Sequence, residues 1–257
     1  MKAALILIGV AILAALVWIG VRPAQDNAHI LISEAVAAPL AEGGAAAFMA
    51  IENQGRPDRL IAVESPHVEA SLYSPEDGAG PPVPVGKSTL AADSAHIRLA
   101  ASDAAFEDGA LIPLTLTFAE AGPVTAKVRL SDPKAKGAAG EVGLFGLGDI
   151  CVVGEGEPAP RLSVAAIPEG DGWRVEIKAE DFTFSKEFVD LYHVPGMGHG
   201  HLYVGGMKLG RLYTPDAYIG ALPKGQHEIR VTLNTNDHRA YVVDDTAVTA
   251  SVTIEVD

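Results

Sequence analysis

The sequence predicts an all-β protein, with two β-sandwich domains behind one N-terminal transmembrane helix. Short apolar runs recur along the chain with Gly- and Pro-containing turns between them, which is typical of β-sandwiches. After the first 22 residues no long stretch has the apolar periodicity of an amphipathic helix. A chain of 257 residues also has room for two domains of about 100 residues each.

Composition narrows the classes of function. The formal net charge of −14 argues against nucleic acid and anionic membrane surfaces as partners. The chain has one cysteine, Cys151, so an intrachain disulfide is excluded. We interpret Cys151 as a buried thiol, with a copper(I) ligand as the alternative. The sequence has no Gly-x-Ser-x-Gly, His-Glu-x-x-His or phosphate-binding glycine loop, so we expect no enzyme.

The N-terminus is predicted to be a membrane anchor over residues 1–22. Lys2 is followed by nineteen uncharged, mostly apolar residues, 3–21, close to the length of a membrane-spanning helix. We expect this segment to cross the bacterial inner membrane, with the rest on the periplasmic side. The alternative is a cleaved signal and a soluble periplasmic protein, although the context lacks a good small-x-small cleavage site.

The exported part divides at a Gly-, Pro- and Lys-containing segment. We predict a first domain over residues 28–131, a linker over 132–160 and a second domain over 161–257. The strands expected in the first domain are 46–52, 60–63, 111–118 and 124–130. Those expected in the second are 161–166, 173–178, 182–184, a hairpin around 204–207, 227–233, 241–243 and 248–256.

The first domain resembles the PCu(A)C family of periplasmic copper chaperones. The resemblance is carried by residues 32–35, 44–55, 59–61, 65–66, 95–97 and 112–118, in the family's order. It implies a cupredoxin-like β-sandwich that binds Cu(I), and we expect both domains to be cupredoxin-like or immunoglobulin-like sandwiches. It also implies a copper-accepting partner, in this family the copper centre of cytochrome c oxidase.

The family's copper ligands are mostly replaced in this chain. Tyr73 stands where the family has a histidine, and the hairpin that holds its middle methionines is shortened to 78–84. Of the closing His-x-Met, His96 remains and Arg98 takes the methionine position. His96 is therefore kept as a candidate ligand, with His67 as a conceivable second one.

The second domain contains a better candidate site, the segment from His193 to His201 with sequence His-Val-Pro-Gly-Met-Gly-His-Gly-His. Imidazole and thioether groups suit copper. Gly205-Gly206 predicts a tight hairpin turn. That turn would pair His201 with Gly210 and His199 with Leu212. Because side chains alternate along a strand, both histidines should share one face.

The predicted metal ligands are His193, Met197, His199, His201, His238 from the turn 234–238, and His96 from the first domain. We expect Cu(I) rather than Cu(II), in a shallow, solvent-reachable site that passes the ion on by ligand exchange. The second domain also resembles histidine-containing β-domains joined to PCu(A)C-type domains in exported bacterial proteins. The main alternative is a non-metal scaffold or interaction module with a degenerate chaperone domain; a copper-dependent redox enzyme is a further rival.

Overall fold

The computed structural model describes residues 29–40, 43–76, 78–100, 107–131 and 149–257, and every regular element in these ranges is a β-strand. The prediction of an all-β protein is confirmed for this part of the chain. The predicted anchor, residues 1–22, lies outside the described residues. Within the described residues, no helix is long and apolar enough to cross a membrane.

The first half (residues 29–131) consists of strands around one apolar core. The strand 111–118 shows why they form: Ile112, Leu114, Leu116 and Phe118 are buried, and the residues between them are more exposed. That period of two fits a sheet with one face on the core. The strands are β1 (Ile30–Pro39), β2 (Ala45–Asn53), β3 (Asp58–Glu64), β4 (Ala70–Tyr73), β5 (Pro82–Val83), β6 (Gly86–Leu90), β7 (His96–Leu99), β8 (Leu111–Phe118) and β9 (Gly122–Leu130).

The second half (residues 149–257) has its own apolar core, built from residues of this half alone. Its strands are β10 (Ile150–Val152), β11 (Arg161–Glu169), β12 (Gly172–Glu180), β13 (Thr183–Phe184), β14 (Met197–Val204), β15 (Met207–Leu212), β16 (Asp216–Ile219), β17 (Gly225–Thr235), β18 (Ala240–Val243), β19 (Thr246–Ala247) and β20 (Thr249–Val256). β14 lies between β15 and β17 and pairs with both, while β11, β12 and β16 form a separate three-stranded sheet. The histidine-bearing strand β14 is therefore an interior strand.

Part of the predicted linker 132–160 is ordered as a strand. β10 pairs in parallel with β18, with Cys151 opposite Tyr241. Residues 149–160 thus extend the sheets of the second half. Residues 132–148 lie outside the described part of the chain, so the domain boundary itself stays a prediction.

The two halves are joined through the β14–β15 hairpin. β15 pairs with β6 of the first half at Lys208 and Thr89. The Ala95 amide donates to the Gly206 carbonyl at 2.9 Å, and Met207 is buried in the core of the first half. The same hairpin that bears the histidines therefore docks onto the first half.

The register of this hairpin differs from the predicted one. Leu202 pairs with Gly210 and His201 pairs with Arg211, so the expected His201–Gly210 and His199–Leu212 pairs are wrong. The cause is a bulge: β15 has one additional residue between the partners of Leu202 and Tyr203. Gly210, with φ +147°, follows that residue in a conformation that favours glycine.

Candidate metal centre

The centre begins with two histidines on one face of β14. His199 is fully buried and His201 is 5% exposed. Their ring centroids are 5.0 Å apart, and the two Nε2 atoms are 3.1 Å apart. Two nitrogens bound to one tetrahedral ion with metal–nitrogen bonds of about 2.0–2.1 Å lie roughly 3.3 Å apart. The observed spacing is therefore close to that of two ligands on one ion.

His238 joins them from the turn between β17 and β18. Its φ of +67° is left-handed, a conformation in which histidine is enriched among non-glycine residues. The His238 amide donates to the Thr235 carbonyl, which closes the turn. Its ring centroid is 4.7 Å from that of His199, and the ligand atoms of His199, His201 and His238 all lie within 4.8 Å of one another.

The centre is buried, so the expectation of a shallow, solvent-reachable site is wrong. His238, like His201, is only 5% exposed. Burial follows from the fold, since β14 is enclosed by β15 and β17, and the segment before β14 contacts the turn that bears His238. In that segment Asp190 accepts a hydrogen bond from His238 Nε2, and its amide donates to the Asn236 carbonyl.

Two carboxylates stand behind the histidines. Asp93, from the turn between β6 and β7 of the first half, has its Oδ2 atom 3.2 Å from His201 Nδ1. The same oxygen accepts hydrogen bonds from the Tyr203 hydroxyl at 2.9 Å and from Lys208 Nζ at 2.7 Å. Asp190 contacts His238 and lies 3.7 Å from Arg211. Histidines that bind metals commonly have such a carboxylate on the nitrogen away from the ion.

Burial keeps the three imidazoles neutral. Desolvation, with the neighbouring His201 and His238, lowers the pKa of His199 to about 2. Desolvation and Lys208 lower the pKa of His201 to about 4, against the opposing effect of Asp93. Desolvation also lowers the pKa of His238. At neutral pH all three rings offer a lone pair without first losing a proton, as metal binding requires.

Asp93 and Lys208, next to His201, stabilise each other in their charged forms. Burial by itself would raise the pKa of Asp93, but Lys208 and His201 hold it well below its usual range. Burial lowers the pKa of Lys208, an effect that Asp93 opposes. The result is a buried ion pair beside His201.

Several buried polar atoms near the centre have no hydrogen-bond partner among the described residues, and one of them belongs to a histidine of the group. His199 Nδ1 is buried and has no hydrogen-bond partner among the described residues. An unpaired buried polar group typically costs about 1–3 kcal/mol. The residues present fit a metal ion because three neutral imidazoles converge and two of them contact a carboxylate.

His193, a further predicted ligand, does not belong to this histidine group, whereas the assignment of Met197 as a ligand stays a prediction. His193 Nε2 lies 3.8 Å from Cys151 Sγ, and its ring is 5.9 Å from the ring of Tyr241. Met197 begins β14, and its carbonyl accepts a hydrogen bond from the Tyr241 hydroxyl at 3.0 Å. Burial raises the pKa of the Cys151 thiol, which keeps it protonated and weakly reactive.

Comparison with known proteins identifies the first half. Residues 25–130 match a family model described as "Putative lipoprotein LpqE-like". The first half is an LpqE-like domain of the PCuAC type. The resemblance predicted for it is confirmed, and the histidine group lies outside the matched residues.

Several solved structures are similar to this chain or to part of it. A copper-bound PCuAC domain from PmoF2 is 27% identical over 40% of this chain and 93% of its own, with a TM-score of 0.36. An apo PCuAC domain from PmoF1 is 26% identical over 40% of this chain and 94% of its own, with a TM-score of 0.36. Fibronectin(III)-like modules of Clostridium thermocellum CbhA cover 88% of this chain and 94% of their own at 11% identity, with a TM-score of 0.25. No curated protein matches the chain.

In the first half, the residues at the positions where the family's ligands were expected stack on one another. The His96 ring lies 4.6 Å from that of Tyr73, and the Arg98 guanidinium lies 4.3 Å over the Tyr73 ring. His96 Nδ1 is hydrogen-bonded to the Ser94 carbonyl at 2.9 Å. His96 is therefore a packed, hydrogen-bonded side chain, and neither it nor the exposed His67 belongs to the histidine group.

Sequence reasoning missed the residues that surround the three histidines. Asp93 is 110 residues from Tyr203 along the chain, so no local pattern connects them. Lys208 had a usable signal: it is a lysine between the apolar residues Met207 and Leu209, directly after the hairpin turn. A charged side chain in such an apolar run is buried only when an opposite charge pairs with it.

Proposed function

We propose that this chain is a copper-binding protein that carries the ion to an acceptor protein outside the cytoplasm. His199, His201 and His238 would hold the ion. The observation that supports this most is the convergence of three buried, neutral imidazoles from two separate elements. The LpqE-like, PCuAC-type first half supports copper as the cargo. We propose a carrier rather than an enzyme.

The ligand chemistry agrees with copper. Imidazole suits both copper and zinc, and copper binds nitrogen ligands more tightly than the other divalent metals of its row. The similar PCuAC domain from PmoF2 is itself copper-bound. Zinc is therefore the competitor against which copper has to be measured.

The charges around the centre favour Cu(I). The three histidines are neutral, and their charged neighbours balance: Asp93 and Asp190 oppose Lys208 and Arg211. Burying an uncompensated charge in a protein is costly, and the free-energy cost rises steeply with the size of that charge. A monovalent ion therefore fits this centre better than a divalent one.

Release requires part of the enclosure to open. Asp190 is 55% exposed and contacts His238. The turn that bears His238 is therefore the part of the metal centre next to this exposed side chain. We propose that the acceptor meets the protein here and exchanges its ligands first with His238. The chain's net charge of −14 would favour an acceptor with a basic face.

The proposed location is the outer side of the inner membrane. The matched family is described as a lipoprotein, which suggests a protein outside the cytoplasm and associated with a membrane. Residues 3–21 are our candidate anchor, and removal of this segment would give a soluble periplasmic form. The proposed acceptor is a copper protein, such as cytochrome c oxidase during its assembly.

The test is competition for Cu(I) between the protein and a chelator of known affinity. Wild type is compared with His199→Ala/His201→Ala and with His67→Ala, an exposed histidine of the first half. We expect wild type and His67→Ala to bind one copper with submicromolar affinity, and the double variant to lose it. Wild-type binding no tighter than micromolar would overturn the proposal.

The filled ligand position of the LpqE-like domain favours a second candidate, a scaffold or interaction module without metal. There Tyr73, His96 and Arg98 pack on one another instead of leaving ligands free. Absence of copper binding, together with co-purification of a membrane protein, would favour this function.

A further inference from the structure

The turn that bears Asp93 is held rigidly between β6 and β7. The Ala91 amide donates to the Ala95 carbonyl at 3.0 Å, and the Ser94 amide donates to the Ala91 carbonyl at 3.0 Å. The turn is also tied to the hairpin of the second half, where the Gly206 carbonyl accepts the Ala95 amide. The position of Asp93 relative to β14 and β15 is therefore set by backbone hydrogen bonds on both sides.

A single oxygen of Asp93 makes all of its side-chain contacts with the second half. Oδ2 is within 3.2 Å of His201 Nδ1, the Tyr203 hydroxyl and Lys208 Nζ. Oδ1 is buried and has no hydrogen-bond partner among the described residues. Lys208, which supplies the opposite charge, is 2% exposed.

We propose that Asp93 of the first half is a positioning residue for His201, so that the two halves build the metal centre jointly. The proposal rests on the proposed function. It gives the LpqE-like domain a part in metal binding that does not depend on the family's own ligands.

The geometry explains how Asp93 acts. An acceptor at His201 Nδ1 keeps the proton on that nitrogen, which leaves the lone pair on Nε2. Nε2 is the atom that faces His199 Nε2 at 3.1 Å. Asp93 therefore stabilises the tautomer and the ring orientation that a metal ion needs, together with the Tyr203 hydroxyl, which also lies 3.2 Å from His201 Nδ1.

The proposal couples metal binding to the docking of the first half on the second. If docking of the first half presents Asp93 to His201, the docked arrangement binds metal more tightly than an undocked one. By thermodynamic reciprocity, the metal then stabilises the docking of the halves by the same factor.

A purely structural explanation makes a different prediction. In that explanation Asp93 only neutralises buried Lys208, and its loss matters because a cation is left unpaired. Removing both charges would then restore metal binding. In the positioning explanation, removing both charges restores stability but not affinity, because His201 Nδ1 has lost its carboxylate acceptor and keeps only the neutral Tyr203 hydroxyl.

The experiment uses the full chain as wild type, Asp93→Ala, Lys208→Met and Asp93→Ala/Lys208→Met. Cu(I) affinity is measured by chelator competition, thermal unfolding is followed without metal, and the His201 tautomer is read by nitrogen-15 NMR. We expect about 10- to 100-fold weaker binding in both Asp93→Ala variants, the usual effect of losing such a carboxylate. We expect a smaller loss in Lys208→Met.

Wild-type affinity in Asp93→Ala/Lys208→Met would overturn the positioning role. If wild type itself binds no copper, the proposed function fails, and the NMR measurement still decides about Asp93. We expect an Nδ1–H tautomer of His201 in metal-free wild type and a mixture in the double variant. An unchanged tautomer would overturn the proposal.

Discussion

Two histidines, one in each half of this protein, differ in how their ring nitrogens are paired. In the first half His96 packs against Tyr73 and its Nδ1 bonds a backbone carbonyl. In the second half His199 is fully buried, yet its Nδ1 has no partner among the described residues. His96 is satisfied by the protein itself, whereas His199 is placed as a ligand would be.

The difference shows that family membership and candidate site are separate in this molecule. The half that matches a known family holds none of the three converging histidines, which all lie in the half outside that match. A fold supports many functions, and the function has to be argued from the site. The proposed contribution of the first half to the metal centre is Asp93, not a ligand.

The largest expected effect is a loss of copper affinity in His238→Ala that His96→Ala does not show. Removing His238 takes one of three converging nitrogens from the ion, so we expect copper affinity to fall by more than about 100-fold. Removing His96 should change affinity by less than about twofold, because that ring is engaged within its own half. Isothermal titration or chelator competition measures both; equal losses would remove the distinction between the halves.

The second prediction concerns the stability of the contact between the two halves. Lys208→Met leaves the Asp93 carboxylate without its ion pair, and we expect a loss of about 3 kcal/mol, near the low end for breaking a buried pair. Lys87→Met, at an exposed lysine on the neighbouring strand β6, should cost less than about 0.5 kcal/mol. Urea unfolding of both variants checks this. A neutral Lys208→Met would show that the ion pair does not stabilise the docked halves.

The pH dependence should also come mainly from the second half. Free histidine has a pKa near 6.5, and in the folded chain the pKa of His199 is about 2 and that of His201 about 4. The contribution of these histidines to the free energy of unfolding is therefore fully present above about pH 6.5. It falls at lower pH, because the histidines are protonated in the unfolded chain but stay neutral in the folded chain. Each such histidine contributes about 1.4 kcal/mol per pH unit in that range.

Metal-free protein should thus lose stability between about pH 6.5 and 4. His199→Ala/His201→Ala should flatten that slope more than His96→Ala does, although burial also lowers the pKa of His96. Chemical unfolding at several pH values gives the slopes. A slope that the double variant leaves unchanged would mean that other groups dominate.

The smallest effect is a gain of binding in the first half. Tyr73→His/Arg98→Met restores two of the family's ligand types beside His96. We expect a second, weaker copper equivalent, since the shortened hairpin 78–84 still lacks the middle methionines. Copper titration of the double variant against wild type measures it. No added copper would mean that the packing around Phe48, 6.0 Å from His96, prevents ligation.

Much of the fold could be predicted because alternation is a local signal. The strand 111–118 has the predicted bounds, and the common face of His199 and His201 is confirmed by their ring contact. The register of their hairpin was missed because one residue bulges before Gly210, which the Gly-Gly turn does not reveal. Burial was missed because it depends on which distant elements cover β14, and Asp93 was missed for the same reason.

The most direct test of the account is crystallography of copper-loaded protein with anomalous data at the copper edge. We predict one anomalous peak bounded by His199, His201 and His238, with Asp93 still bonded to His201 Nδ1. A peak at His96 in the LpqE-like domain, or between Cys151 and His193, would contradict the assignment of the metal centre to these three histidines.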